Sequence, residues 1–191
     1  MAEMNWLEKP VVNSRFWNFI YKKLLYNIFL NFVGDKLNGN LLEIGCGIGK
    51  TTSWLNKKYP KVKIIAVDYD DGQIEIAKKN QKMKNIKFVQ GDATKLKLKN
   101  SYFDYVIETN VFHHISNYTE AIREVKRILK KNGSFYLMDA SKYFLWPLSL
   151  FFGESSFTKN EFIKSLEDNG LRVEKSSRYF FFFIAAKKVQ S

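Results

Sequence analysis

Apolar residues follow two spacings along this chain, and the two spacings alternate. Short apolar runs of strand length are separated by longer segments whose apolar residues recur every three or four positions. Such runs are typical of strands buried on both faces of a parallel sheet, and the segments between them predict amphipathic helices. The runs lie at 41–43, 62–68, 86–90, 102–110 and 134–139, and the helical segments at 14–33, 51–58, 71–77, 118–130 and 158–169. This alternation predicts an α/β domain with a parallel sheet.

The C-terminal segment departs from this alternation. Thr158 and Glu161 have the spacing of a capping box, and Gly170 closes the helix that they begin. Two strand-like runs follow at 171–174 and 179–186, with only residues 175–178 between them. Since a connection that short joins antiparallel neighbours, a hairpin is expected at the end of the chain.

A glycine-rich turn follows the first strand. It contains Gly45, Gly47 and Gly49, and Glu43 lies two positions before the first of them. Glycines permit backbone torsion angles that a Cβ would forbid, and they let a ligand approach the main chain closely. The dinucleotide fingerprint would need its third glycine where Lys50 stands, and a phosphate-binding loop would need a glycine in place of Ile44. Both of those motifs are therefore excluded.

The turn has the form E-x-G-x-G-x-G and resembles motif I of the class I S-adenosylmethionine (SAM) methyltransferases. The order of the elements is also similar to that family, including the terminal hairpin, which a dehydrogenase Rossmann half does not predict. The resemblance covers roughly residues 37–188. It implies a Rossmann-like seven-stranded sheet with five parallel strands, a C-terminal antiparallel hairpin and helices on both faces. It also implies that the strand at 180–186 is inserted between the strand at 135–138 and an edge strand near Val173.

An acidic residue after the second strand supports the same cofactor, SAM. Asp68 lies about 20 residues past the glycine turn, where a Rossmann-type fold places a carboxylate on ribose hydroxyls. Asp70 fits the N-cap of the next helix better than Asp68 does. The resemblance implies that Asp92 and its neighbour meet the adenine edge, and that Glu108 lies near the methionyl end of SAM. The expected cofactor-binding residues are Glu43, Gly45, Cys46, Gly47, Gly49, Asp68, Tyr69, Asp92, Ala93 and Glu108.

Length and composition indicate one globular domain. The chain has 191 residues, of which 46% are hydrophobic and 26% charged. A single cysteine excludes a disulfide framework and favours a reducing, cytoplasmic location, and no signal peptide or transmembrane run is recognised. The expected parts are an N-terminal helical cap (1–36), a SAM-binding core (37–140), an acceptor-side lid (141–157), and a terminal helix and hairpin (158–191).

The formal net charge of +12 leaves three interpretations open. It is compatible with contact to an anionic membrane, with an RNA or other nucleic-acid methyltransferase, or with a lysine-rich solvated surface. The exit of the fourth strand, from Glu108 to Val111, lacks the N/D-P-P-Y/F signature of methyltransferases that act on base amines. The only cysteine lies in the glycine turn, which argues against C5 methylation. A small-molecule acceptor is therefore favoured over nucleic acid, and a non-catalytic SAM-binding subunit is a third hypothesis.

Two adjacent histidines and an aromatic segment bear on the acceptor. His113 or His114 could act as a general base toward an acceptor hydroxyl, although alignment and exclusion of water can supply much of the acceleration. Adjacent residues point apart and no third ligand is evident, so no metal ion is expected. The aromatic residues Tyr143, Phe144, Trp146, Phe151 and Phe152, with Phe16, Trp17 and Tyr21, suggest an enclosure for an apolar or lipid-like acceptor. The alternative is that these aromatics only seal the core.

Overall fold

The computed structural model of the protein describes residues 25–140, 157–178 and 181–189. Its helices are α1 (Asn27–Val33), α2 (Lys50–Lys58), α3 (Asp71–Asn80), α4 (Tyr118–Ile128) and α5 (Lys159–Asp168). Its strands are β1 (Asn40–Ile44), β2 (Lys63–Asp68), β3 (Ile86–Gln90), β4 (Phe103–Thr109), β5 (Leu129–Ala140), β6 (Leu171–Arg178) and β7 (Phe181–Lys188). A 3₁₀ helix, Phe112–His114, follows β4. The expected helix at 14–33 is described only from residue 25, and the aromatic segment at 141–156 lies outside the described residues.

The strands form one seven-stranded sheet in the order β3-β2-β1-β4-β5-β7-β6. The first five strands are parallel to their neighbours, and β7 is antiparallel to both β5 and β6. Ala186 of β7 pairs with Phe135 on one side and with Val173 on the other. The expected Rossmann-like sheet is confirmed, including the insertion of the last strand.

Side chains of alternate residues enter opposite apolar layers of the molecule. In β4, Val106 packs in the layer that contains α4 and α5, whereas Ile107 packs in the layer that contains α1, α2 and α3. Phe135 and Met138 of β5 are divided between the two layers in the same way. Because both faces of the sheet are covered, its central strands are apolar on both sides and read as continuous apolar runs.

The boundary between α4 and β5 differs from the prediction. The helix ends at Ile128, because Leu129 is already extended (φ −66°, ψ 137°) and pairs with Phe103 of β4. The lysine-rich stretch that suggested the end of a helix is instead the irregular start of β5. Lys130 lies there, and its Nζ donates to Asp104 Oδ1 at 2.8 Å.

The prediction of a connection at 175–178 is wrong, because these residues belong to β6. Ser176 pairs with Ile184 and Ser177 pairs with Phe183 of β7. The stretch is polar and resembles a turn in the sequence. An edge strand needs only one hydrogen-bonded neighbour and can carry polar side chains, so the pairing with β7 extends it.

Three predicted helix-terminal features are confirmed. The side chain of Asp70 accepts a hydrogen bond from the backbone N–H of Gln73 at 3.3 Å, so it is the N-cap of α3. Thr158 and Glu161 form both hydrogen bonds of the capping box at the start of α5. Gly170 follows the end of that helix with a φ of +77°, a conformation that favours glycine.

Candidate active site

The predicted site residues meet at one edge of the sheet. Parallel strands end at a common edge, and β3, β2, β1 and β4 are consecutive neighbours in the sheet order. Ile44, the last residue of β1, pairs with Val67 of β2 on one side and with Glu108 of β4 on the other. The glycine turn, Asp68 and Glu108 therefore lie side by side at the carboxyl edge, where ligands of open α/β sheets bind.

The glycine turn requires its glycines for both conformation and packing. Gly45, Gly47 and Gly49 have φ values of 74°, 50° and 80°. The turn is held to β2, because the N–H groups of Gly45 and Cys46 both donate to the Val67 carbonyl oxygen, at 2.7 and 3.1 Å. A Cβ on Gly45 would lie 2.0 Å from Cγ2 of Val111, in the loop after β4. The turn thus packs directly against that loop.

Asp68 holds the turn through its carboxylate. Oδ2 accepts from the backbone N–H of Gly47 at 2.7 Å, and Oδ1 accepts from the N–H of Asp70 at 3.0 Å. Burial raises the pKa of Asp68, and these two backbone hydrogen bonds oppose the rise. Because a carboxylate offers about four acceptor positions, Asp68 can hold the turn and still accept from a ligand hydroxyl.

The turn after β3 is joined to Asp68. The N–H of Gly91 donates to the Asp68 carbonyl oxygen at 2.9 Å, and the Gln90 side-chain amide donates to the Tyr69 carbonyl oxygen at 3.2 Å. Asp92 Oδ1 accepts from both the N–H and the hydroxyl of Thr94, each at 2.8 Å. Burial opposes ionisation, but the hydrogen bonds from Thr94 lower the pKa of Asp92. Asp92 and the buried Ala93, which are expected at the adenine edge, and Tyr69 therefore lie next to Asp68, the residue expected to bind the ribose.

Two groups beneath the turn have strongly raised pKa values. Glu43 is fully buried, and its carboxyl oxygens accept no hydrogen bond of normal geometry from any described residue. Burial raises the pKa of Glu43 to about 8, opposed by the polar Thr52 side chain and reinforced by the charge of Asp68. Burial, together with the charges of Glu43 and Asp68, also raises the pKa of the Cys46 thiol. Cys46 contributes its backbone N–H to the turn, and the raised pKa favours the protonated thiol.

A second acidic group lies at the ends of β4 and β5. Glu108 and Asp139 are both fully buried. Glu108 Oε1 accepts from the N–H of Val111. Asp139 binds His113 twice, since Oδ2 accepts from the backbone N–H at 3.1 Å and Oδ1 contacts the ring Nδ1 at 2.5 Å. Burial, then the charge of Asp139, raises the pKa of Glu108 well above its ordinary value.

The two histidines occupy different environments. The His114 ring lies 3.9 Å from the His113 ring, centroid to centroid. Burial, reinforced by His113 and opposed by Asp139, lowers the pKa of His114 to about 4. His113 is instead bound to a carboxylate. In the part of the chain that the structure describes, no group of three His, Cys, Asp or Glu side chains is placed to hold a metal ion.

Two residues of this site were missed in the sequence. Asp139 ends a buried strand much as Asp68 ends β2, and that parallel was the available signal. Gln73 is buried near the start of α3, and its Oε1 finds no donor among the described residues. This oxygen lies 3.9 Å from the position that a Cβ of Gly47 would occupy. No local pattern marks Gln73, because only the tertiary fold brings it to the glycine turn.

The sequence is similar to a known protein family and to curated proteins. A family model described as "Methyltransferase domain" matches residues 42–137. A Priestia megaterium protein named malonyl-[acyl-carrier protein] O-methyltransferase is 34% identical over 112 residues, 59% of this chain and 40% of that protein. A Staphylococcus aureus demethylmenaquinone methyltransferase is 30% identical over 112 residues, covering 58% of this chain and 46% of that protein. The matches span less than half the length of these curated relatives.

The fold is shared with solved structures. A structure described as a SAM dependent methyltransferase from Aquifex aeolicus superposes with a TM-score of 0.80 at 20% identity, covering 99% of this chain and 100% of that chain. This likeness shows the fold alone. The family match contains the glycine turn, Asp68, Asp92 and Glu108, but it ends before Asp139.

Proposed function

The chain belongs to the methyltransferase-domain family, whose model matches half of its length, and we propose that it transfers a methyl group from SAM to a small, apolar or lipid-like acceptor. The observation that carries this proposal is the glycine turn, in which Gly47 faces the carboxylate of Asp68 across a 2.7 Å hydrogen bond. In this arrangement a ligand can approach the backbone of the turn closely, and the neighbouring carboxylate can accept hydrogen bonds from two vicinal hydroxyls. The fold is that of the class I SAM-dependent methyltransferases.

The residues present fit SAM as a ligand. Among the described residues, a Cβ at Gly47 would meet no atom closer than 3.9 Å, so this part of the turn leaves room for a ligand to approach its backbone. Asp68 would hold the ribose hydroxyls, and the buried Oε1 of Gln73 could accept another donor of the nucleoside. Glu43 and Glu108 supply acidic groups beneath and beside the turn. Burial raises the pKa of both carboxyl groups, and a bound cationic ammonium or sulfonium group of SAM would favour their ionised forms.

The protein's main contribution would be alignment in a dry site. Bound SAM supplies an electrophilic methyl group on a sulfonium, so transfer needs an acceptor in line and little water. Phe112 and Ile115, which follow β4, and Phe157, which precedes α5, are fully buried. The Phe157 ring packs against Tyr118 and Phe162, at 4.8 and 4.6 Å between ring centroids. These side chains provide an apolar wall near the carboxyl edge.

The names of two relatives and the position of residues 141–157 in the chain support a small or lipid-like methyl acceptor. The two relatives are named for a malonyl group on an acyl-carrier protein and for demethylmenaquinone, respectively. Residues 141–157 start where β5 reaches the carboxyl edge and end at Phe157, so we propose that they form the acceptor side of the site. The division into cap (1–36), core (37–140), lid (141–157) and terminal segment (158–191) is part of this proposal. So are a cytoplasmic location and peripheral contact with anionic membrane.

The nucleic-acid alternative gains no support from the basic residues near the opposite edge of the sheet. A groove there is lined in part by Arg172, Lys187 and Lys188. Arg172 and Lys187 each contact Glu174, at 3.7 and 3.4 Å, so part of this charge is neutralised locally.

No described helix is long and apolar enough to cross a membrane.

The proposal is tested first by cofactor binding. Calorimetry should show that the protein binds SAM and its demethylated product, S-adenosylhomocysteine. Asp68→Asn should weaken binding at least about tenfold, about 1.4 kcal/mol, because a charge-assisted acceptor is lost. Asp71→Asn, at an exposed position three residues away, is the matched control and should bind normally. Circular dichroism checks that both variants fold.

The acceptor class is then tested with radiolabelled SAM. The protein is incubated with fractionated small-molecule, lipid and RNA extracts, and label is expected in the small-molecule or lipid fraction. Label confined to RNA would support the nucleic-acid alternative. Absence of any binding of SAM or S-adenosylhomocysteine by the wild-type protein would refute the proposed function.

A further inference from the structure

A groove lined by basic side chains lies at the amino edge of the sheet, opposite the edge that carries the glycine turn. It is formed where β7 ends and where β5 and β6 begin, and its volume is about 300 Å³. This volume is at the lower end of the range for small-ligand sites. The lining residues are Asn132, Arg172, Lys187, Lys188 and Val189. Three of them are cations and one is an amide, so the groove offers mainly hydrogen-bond donors to a ligand.

The pairing of the last two strands concentrates these cations. Arg172 of β6 pairs directly with Lys187 of β7, and Leu171 pairs with Lys188. Directly paired residues have their side chains on the same face of a sheet, and successive residues alternate between the faces. Arg172 and Lys187 therefore lie on one face, and Lys188 lies on the other. Cationic side chains thus surround the end of β7 from both faces of the sheet.

A fourth cation comes from α4. A Cβ on Gly170 would lie 2.8 Å from Nζ of Lys126, and the Gly170 carbonyl oxygen accepts from the N–H of Val189 at 3.2 Å. Lys126 is thus next to the segment of chain that lines the groove. Burial, reinforced by the charge of Lys126, lowers the pKa of Lys188. The two ammonium groups are therefore close enough to repel each other.

The positive charge of this cluster exceeds the charge of its acidic neighbour. Glu174 contacts Arg172 at 3.7 Å and Lys187 at 3.4 Å. In the described part of the chain, neither Lys126 nor Lys188 forms an ion pair, and Nζ of Lys188 donates to one backbone carbonyl oxygen at 2.7 Å. An ammonium group has three donors, so Lys188 keeps two for a ligand. One carboxylate among four cations leaves an excess of positive charge that a bound anion would offset.

We propose that this groove is a binding site for a phosphate monoester group, separate from the cofactor site. A phosphate monoester carries a charge of about −1.5 to −2 at pH 7 and has three oxygens that accept hydrogen bonds. The planar guanidinium of Arg172 can donate two parallel hydrogen bonds to such a group, and the lysine ammonium groups can donate others. A carboxylate carries a single charge and would leave more of the excess charge without a partner.

The groove is too far from the glycine turn for its ligand to take part in methyl transfer. Ser134 of β5 pairs with Lys187 beside the groove, whereas Asp139 of the same strand lies at the carboxyl edge. The strand between these two residues spans about 17 Å, since each residue advances a strand by about 3.3 Å. The groove therefore holds an anchoring or regulatory phosphate group and not the atom that is methylated.

The ligand class is tested by calorimetry of the whole chain with inorganic phosphate, glycerol 3-phosphate and acetate. Both phosphate compounds should bind saturably, and acetate should bind at least about tenfold more weakly because of its lower charge. Arg172→Gln combined with Lys187→Gln should weaken the binding of glycerol 3-phosphate about tenfold or more. The matched control, Lys82→Gln combined with Lys84→Gln, removes the same charge at exposed positions and should change binding less than about twofold.

A further variant adds an acid to the groove and removes no cation. Asn132 has a φ of 61°, a conformation that aspartate also tolerates, so Asn132→Asp keeps both the backbone and the size of the side chain. It should weaken the binding of glycerol 3-phosphate about fivefold or more. Asn80→Asp, at an exposed position of α3, is its control and should leave binding unchanged. Circular dichroism checks that all variants fold.

Vesicles separate a lipid source of the phosphate group from a soluble one. Vesicles of equal parts phosphatidylcholine and phosphatidic acid present a phosphate monoester at their surface, and phosphatidylglycerol in place of phosphatidic acid presents a phosphodiester. Flotation with phosphatidic acid that is lost in the groove variants would support the site and identify a lipid headgroup. Binding of glycerol 3-phosphate without flotation would support the site and identify a soluble phosphate.

Several results would overturn the phosphate site. Absence of saturable binding of both phosphate compounds would do so, as would acetate binding as tightly as phosphate. Equal weakening by the groove variants and their controls would mean that overall charge binds the anion. A single-stranded oligonucleotide that binds more tightly than glycerol 3-phosphate, with a steep dependence on salt, would assign the groove to nucleic acid instead.

Binding of S-adenosylhomocysteine separates this inference from the proposed function. Its affinity should be the same in the wild-type protein and in every groove variant, with or without phosphate. Competition between phosphate and S-adenosylhomocysteine would place phosphate in the cofactor site and overturn the groove. Failure of the wild-type protein to bind S-adenosylhomocysteine would overturn the methyltransferase proposal and leave the phosphate site to its own test.

Discussion

The buried Glu43 carboxyl makes the stability of the protein depend on pH in a predictable direction. Its pKa is raised from 4.5 to about 8, chiefly by burial. In the folded state the protonated form is favoured, so between these values the unfolded chain binds fewer protons than the folded one. The free energy of unfolding therefore falls as pH rises through this window. The contribution is fully present below pH 4.5 and is lost as pH rises through about 8.

The size of this effect follows from the two pKa values. Each pKa unit corresponds to about 1.4 kcal/mol, so the full difference between 4.5 and about 8 is about 5 kcal/mol. Most of it develops between pH 5 and pH 9, where the change is about 4 kcal/mol. Glu43→Gln removes the titrating group and keeps the shape of the side chain. Its buried amide adds a cost that does not vary with pH.

The assay is denaturant-induced unfolding of both proteins at pH 5, 7 and 9. The difference in unfolding free energy, wild type minus Glu43→Gln, should fall by about 4 kcal/mol across this range. Titrating groups that do not interact with Glu43, Glu108 among them, act equally on both proteins and cancel in the difference. Parallel pH dependences for the two proteins would refute the argument, since they would mean that Glu43 ionises at its ordinary pKa in the fold.

Three further predictions concern the turn, the loop before β4 and the acceptor. Gly45→Ala should lower the free energy of unfolding by about 3 kcal/mol or more, whereas Gly47→Ala should cost about 1 kcal/mol, because among the described residues only the first Cβ collides with a neighbour. Equal losses of the two variants in denaturant unfolding would contradict this packing. Arg127 donates to the Glu124 carboxylate at 2.7 Å and to the backbone carbonyls of Leu96 and Leu98, each at 2.8 Å. Arg127→Lys should cost about 1–3 kcal/mol in the same assay. An unchanged midpoint would show that these bonds contribute nothing. Trp146→Ala should leave calorimetric affinity for S-adenosylhomocysteine nearly intact and lower turnover of an amphiphilic acceptor; a variant that merely unfolds would assign this residue to the core.

The resemblance to the class I SAM methyltransferases implied the seven-stranded sheet with its inserted last strand, and the structure contains both. The sequence pattern itself predicted the helices and strands from the apolar runs and a tight turn from the glycines, and the spacing of Thr158 and Glu161 predicted a capping box that the structure contains. These features depend on neighbours close along the chain. Side-chain period, the torsion angles that only glycine adopts readily and the donors at a helix start are all local properties.

The ends of two elements were decided by partners far along the chain. Residues 175–178 read as a polar connection, yet they extend β6 because β7 offers them backbone hydrogen bonds. Leu129 ends α4 because it pairs with Phe103 of β4. A strand end depends on whether the adjacent strand continues, and a single segment carries no record of its neighbour's length.

The chemistry of the site depended most on tertiary structure. His113 and Asp139 are 26 residues apart, and the parallel alignment of β4 with β5 brings them into contact. The sequence presented His113 and His114 as equivalent, but burial lowers the pKa of one to about 4 while a buried carboxylate orients the other. Residue type sets which groups can titrate or bind. Desolvation and the nearest charge set which of them do so at neutral pH, and both arise only when distant segments pack together.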